Sequence, residues 1–148
     1  MSLVRGILNN YQVAAAVPFT SNVTLATIGL ASPIAANQTQ HFRAYVPFTI
    51  GATGGIRFSV VCGTASTVIK SWKIVDTVTP SITPGQSTNP NNTVTNALAV
   101  AGSHYLEIEG TITNGATAGT IDIQVAQNTS DVATLTFLKG GFMEVVAY

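Results

Sequence analysis

From about residue 20 onward, apolar and polar residues alternate with a period of two, the pattern of strands buried on one face. Phe42, Ala44, Val46, Phe48 and Ile50 alternate with His41, Arg43, Tyr45, Pro47 and Thr49, which predicts one long strand. Pro47 has no N–H to give to a ladder, so an edge or a bulge is expected there. Ile56, Phe58, Val60 and Cys62 alternate with Arg57, Ser59 and Val61 after a Gly51–Gly55 turn. Val68, Lys70, Trp72, Ile74 and Asp76 form one parity of the next strand, and Ile69, Ser71, Lys73 and Val75 the other. Neither is cleanly apolar, so protein is expected on both sides for part of its length. Val23, Leu25 and Ile28 suggest an earlier strand, and Leu135–Phe137 and Phe142–Ala147 two late ones. Residues 79–92, with Pro80, Pro84, Gly85 and Pro90, read as a long surface loop.

The segment from His104 to Val125 carries the sharpest pattern. Leu106, Ile108 and Ile112 alternate with Tyr105, Glu107, Glu109 and Thr111, and Ile121, Ile123 and Val125 alternate with Asp122 and Gln124. Between them, Asn114 to Gly119 holds two glycines suited to positive φ. A hairpin is expected, with Ile112 opposite Ile121 and Ile108 opposite Val125, because a one-residue slip would turn one apolar set outward. Eight or nine short strands predict an all-β, jelly-roll-like antiparallel sandwich over residues 20–148.

Residues 1–19 fall outside this pattern and are expected to form an N-terminal arm. Leu3, Val4, Ile7, Leu8 and Tyr11 have the spacing of one side of a short helix, but Gly6 and Asn9-Asn10 suit an extended arm equally. These five apolar side chains have no evident place in the sandwich and are the candidates for contact with a neighbour.

Composition narrows the functional classes. The chain has 148 residues, enough for one domain. Only 8% of residues are charged, against about 25% in an average protein. Their place is taken by polar uncharged residues, including 21 Thr and 10 Asn. The formal net charge of zero leaves no basic field for nucleic acid or anionic lipid. A surface this uncharged is poorly protected against association, so a subunit of a larger assembly is expected. The single cysteine, Cys62, lies in an apolar run and reads as a buried thiol. Neither a secretory signal nor an apolar run of membrane-spanning length is evident, so synthesis in the cytosol is expected. The N-x-[ST] triplets at Asn22, Asn37, Asn91 and Asn128 read as coincidence in so Thr- and Asn-rich a chain.

Candidate chemistry is sparse. Glu107 and Glu109 share a strand face about 6.5–7 Å apart, a separation that can serve glycoside hydrolysis. The plainer reading is a solvent face opposite Leu106 and Ile108. His41 and His104 lack metal-ligand spacing. No G-x-S-x-G elbow is present, and Gly51–Gly55 lacks the lysine of a phosphate loop. Trp72 with Tyr45 can form a sugar-stacking platform, or can be core and interface aromatics. No catalytic, cofactor-binding or metal-binding residue is expected, and no cofactor.

The stretch Tyr105-Leu106-Glu107-Ile108-Glu109-Gly110, continuing through Asn114-Gly115 and Ala118-Gly119 to Gln124-Val125-Ala126-Gln127-Asn128-Thr129-Ser130-Asp131, resembles a recurrent segment of tailed-bacteriophage virion proteins. There an "IEG-x-x-x-NG-x-x-AG" hairpin precedes "Q-x-AQN-x-[ST]-D" and a closing strand. Here the closing strand reads Leu138-Lys139-Gly140-Gly141-Phe142-Met143-Glu144-Val145, with Gly141 where Ser is common. The resemblance implies a jelly roll that assembles as a homotrimer. It further implies a non-enzymatic capsid decoration (cement) protein on the outside of a phage head, with the major capsid protein as partner. Phe137, Phe142 and Tyr148 are the candidates for the threefold interface. The alternative from the same resemblance is a receptor- or glycan-binding module of a tail fibre or baseplate, presenting Trp72 or the 79–92 loop.

Overall fold

In the computed structural model, which describes residues 8–51, 54–89, 91–96, 98 and 101–148, the alternating segments are extended strands. They are β1 Leu8–Gln12, β2 Val17–Phe19, β3 Ala26–Ile34, β4 Thr39–Ile50, β5 Ile56–Val61 and β6 Ala65–Asp76. After them come β7 Ser81–Ser87, β8 Thr93–Asn96, β9 Gly102–Asn114, β10 Gly119–Gln127, β11 Leu135–Phe137 and β12 Phe142–Ala147. The larger sheet runs β1-β12-β4-β9-β6-β7, with β11 and β2 continuing it beside β4. The smaller runs β3-β10-β5-β8. The paired strands are antiparallel, and the inward parities of both sheets make one core. Phe42, Phe48, Phe58, Leu106, Ile108 and Ile112 are its large members, each under 2% exposed. The fold is an all-β domain of two facing antiparallel sheets.

The expected hairpin is not formed. β9 lies in the larger sheet between β4 and β6, and β10 in the smaller between β3 and β5. Ile112 and Ile121 therefore face the same core from opposite sides instead of sitting opposite each other in a ladder. The apolar parity requires only that both faces point inward, and an arch between sheets meets that demand as well as a hairpin does. Asn114 fixes the arch. Its Nδ2 donates to Ala35 O (2.9 Å) and Thr117 O (2.8 Å), and its N–H donates to Gln38 O (2.8 Å). The glycines serve close approach, not positive φ. A Cβ on Gly119 would lie 2.0 Å from Thr64 Oγ1. Gly110 likewise leaves room, and Phe42 of the neighbouring strand fills it.

Other expectations shift for similar reasons. Pro47 is on a central strand, paired across to Tyr105 of β9. On its other side β4 passes from β12 to β11, and Leu138 N–H donates to Pro47 O there (2.9 Å). The missing N–H thus falls at the handover. The 79–92 segment holds a true edge strand, β7, which accommodates Pro84 because one side needs no ladder. β6 is covered on one face only. Its even parity, Lys70 and Asp76 included, is buried, while Ile69 on the odd parity is 64% exposed.

The sheet also begins earlier than residue 20. β1 pairs with β12 and β2 with β11, so residues 8–12 and 17–19 are strand and not a free arm. Tyr11 packs against the core, Leu8 is 60% exposed, and Leu3, Val4 and Ile7 lie outside the described residues. Cys62 is a buried free thiol.

Candidate functional site

The outer face of the larger sheet carries a cluster of charged side chains. Cross-strand register builds rows across it. One runs Lys73, Glu107, Tyr45, Phe142 and Gln12, and the next Ser71, Glu109, Arg43, Glu144 and Asn10. A third runs Ile69, Thr111, His41, Val146 and Leu8. Five of the chain's twelve basic and acidic side chains, Arg43, Lys73, Glu107, Glu109 and Glu144, therefore share one face.

The charges are mutually compensated. Arg43 Nη2 lies 3.0 Å from Glu144 Oε2, and Lys73 Nζ lies 3.7 Å from Glu107 Oε2. His41 Nε2 is 3.4 Å from Glu109 Oε1. Beside them Tyr45 stacks toward Phe142 and Tyr105, with ring centroids 6.0 and 5.2 Å apart. Arg43, Lys73, Glu107, Glu109, Tyr45 and Phe142 border a depression of about 630 Å³, a size that suits a small organic ligand. Its walls also include Pro84.

Trp72 lines the same depression from β6, but its indole tilts inward, edge-on to Phe58 at 5.8 Å. It lies against Gly85 of β7, where a Cβ would come within 2.3 Å of the ring. The two members of the expected aromatic platform are therefore on opposite faces of the sheet, Trp72 toward the core and Tyr45 outward. Phe142 joins Tyr45 on the outer face, which leaves Phe137 apart. Phe137 is fully buried between Phe19 and Phe48, so it has no surface to offer another copy. Tyr148 is 73% exposed.

Glu107 and Glu109 face outward, as the strand pattern predicts, and their neighbours are cations and aromatics. His41 and His104 do not meet. His41 is on the outer face, whereas His104 is buried, its Nδ1 3.2 Å from Asp76 Oδ1. Asp76 also closes the turn after β6. It accepts the N–H groups of Val78 (2.9 Å) and Thr79 (3.1 Å) and the Thr79 hydroxyl. The Thr79 hydroxyl bond holds the Asp76 carboxyl below the usual carboxylate range. No cluster of His, Cys, Asp and Glu suited to a metal ion occurs among the described residues.

Arg43, Lys73 and Pro84 were not singled out by the sequence. The outward parity of Arg43 on β4 is legible, but that of Lys73 on β6, where neither parity is cleanly apolar, and that of Pro84 on β7, which reads as a loop, are not. That β4, β6, β7 and β9 lie side by side is not legible either.

The chain matches no family model and no curated protein. Among solved structures it is similar to the carbohydrate-binding module TmCBM61 in complex with β-1,4-galactotriose. The identity is 11% and the TM-score 0.41, over 81% of this chain and 88% of that one. It is also similar to the VP2 subviral particle of infectious bursal disease virus, at 8% identity and a TM-score of 0.27. That likeness spans 97% of this chain and 41% of the VP2 chain. No residue of the outer face is assigned a role from either.

Proposed function

We propose that this chain is a non-catalytic binding module of a phage virion, and that the outer face of its larger sheet binds carbohydrate. The virion setting rests on the resemblance of the C-terminal third. The binding mode rests on one observation: the Tyr45–Phe142 aromatic wall borders a depression ringed by charge-paired Arg43, Glu107 and Lys73. Aromatic faces cover the apolar C–H face of a sugar ring, and carboxylates and guanidinium groups bond its hydroxyls. Alternation of successive strands between the sheets supports reading the sandwich as a jelly roll with added edge strands.

Calorimetric titration with neutral oligosaccharides is expected to give a saturable heat of binding. Tyr45→Ala and Glu107→Gln are expected to weaken binding by about tenfold or more while the fold, read by circular dichroism, is retained. Unchanged affinity in both variants would place the ligand elsewhere.

A second reading, a trimeric decoration protein on the capsid, is favoured by exposed Leu8 and Tyr148 at one end of the β1–β12 pair. Its test is deletion of residues 1–7, followed by rebinding to capsids stripped of accessory proteins. Deletion of residues 1–17 is unsuitable, because it removes β1 and the buried Val13. Stoichiometric rebinding that depends on residues 1–7, with a trimer by sedimentation, would favour this reading over the first.

A further inference from the structure

Two more depressions adjoin the first. One of about 710 Å³ follows β7 and is bordered by Ser71, Gln86, Ser87, Thr88 and Thr111. A small one of about 200 Å³ lies toward β12, between Leu8, Arg43 and Glu144. Glu109 borders all three. The two large depressions also share Ser71, so they form one groove. It follows β9 from Glu107 to Thr111, about 13 Å at 3.3 Å per residue. β7 is one wall and β4 the other.

The chemistry changes along the groove. The Glu107 end has the aromatic wall of Tyr45 and Phe142. The Thr111 end has hydroxyls and an amide. The exposed cations of the groove already have carboxylates, Arg43 with Glu144 and Lys73 with Glu107, while Lys70, which also borders the Thr111 end, is 1% exposed and on the inward parity. Counting Glu109, three carboxylates stand against two permanent cations. An acidic glycan would bring its charge to a face with no spare cation, which disfavours it by repulsion and desolvation.

Resting on the carbohydrate reading, we infer that the ligand is an uncharged linear oligosaccharide lying along β9. One sugar ring covers the Tyr45–Phe142 wall, and later rings bond the hydroxyl and amide groups of the β7 side. A monosaccharide fills only one end, so affinity grows with chain length as linked contacts reinforce one another.

The test uses the full chain and isothermal titration calorimetry. The probes are mono-, di- and tetrasaccharides of the cello, malto, galacto and manno series, with dextran sulfate as the acidic probe. In the series that binds, the tetrasaccharide is expected to bind about tenfold or more tighter than the monosaccharide, and dextran sulfate not at all. Gln86→Ala and Thr111→Val should weaken tetrasaccharide binding and leave disaccharide binding unchanged. Equal affinity for mono- and tetrasaccharide, or tight binding of dextran sulfate, overturns the groove inference and leaves the carbohydrate reading standing. No response to any neutral sugar overturns both. Self-association by sedimentation that Tyr45→Ala and Gln86→Ala abolish assigns the groove to a second copy of the chain, and also overturns both.

Discussion

Lys70 sets up a test of the core itself. It lies on β6 between Gly110 of β9 and Ser87 of β7, on the parity that faces inward. It is 1% exposed, and its Nζ has no hydrogen-bond partner. Burial lowers its pKa from 10.5 to about 8. At 1.36 kcal/mol per pH unit, that displacement is worth about 3 kcal/mol against the folded state. Below about pH 8 the amine is charged in both states, and the folded state bears the whole burial cost. Between about pH 8 and 10.5 the unfolded chain holds more protons than the folded one, so wild-type stability rises with pH across that window. Above it the amine is neutral in both states and the charge penalty is gone. Lys70→Met keeps the unbranched stem and removes the charge. The variant is expected to be more stable than wild type by about 2–3 kcal/mol near neutrality. The gap should narrow steadily from about pH 8 to 10.5, as the wild-type amine loses its proton. Urea unfolding of both proteins at several pH values measures it, with the m-value checking that the unfolded states are alike. A gap that does not vary with pH, or a variant less stable at neutrality, would refute the reasoning.

Three further outcomes are expected. Gly110→Ala places a Cβ 2.6 Å from Ile69 O and 2.9 Å from the Phe42 ring. Because a backbone atom must yield, thermal unfolding should show the upper part of the about 1–3 kcal/mol cost of overpacking. Asn114→Ala removes the donors to Ala35 and Thr117 and should cost about 1–3 kcal/mol. Asn114→Asp, similar in shape but without the donors, should be no more stable than Asn114→Ala by the same measurement. The lowered Asp76 pKa contributes stability above about pH 3.8 that is lost as pH falls through the folded-state value. Acid unfolding should therefore be shallower in Asp76→Ala than in wild type, and parallel curves would count against the turn-closing role.

The sequence by itself determined the strands and their inward faces. Phe42 to Ile50, Ile56 to Cys62, Leu106 to Ile112 and Ile121 to Val125 are buried on the parity that their alternation marks. That follows from local geometry, because side chains alternate along any extended backbone. It also placed Glu107, Glu109, Tyr45 and Arg43 on the opposite face from their apolar neighbours. Edge strands escaped it. β7, with its Pro and Gly, and β1, with its exposed Leu8, bury too little to leave a period-two trace. Partner choice escaped it as well. Alternation says which way a side chain points, not which strand lies alongside. The same apolar parity in β9 and β10 fits a hairpin or an arch, and the buried contacts of Asn114 with Ala35 and Thr117 decide for the arch. Only that tertiary decision seats β9 between β4 and β6, and so brings Lys73, Glu107, Tyr45 and Phe142, scattered over 98 residues of sequence, into one row.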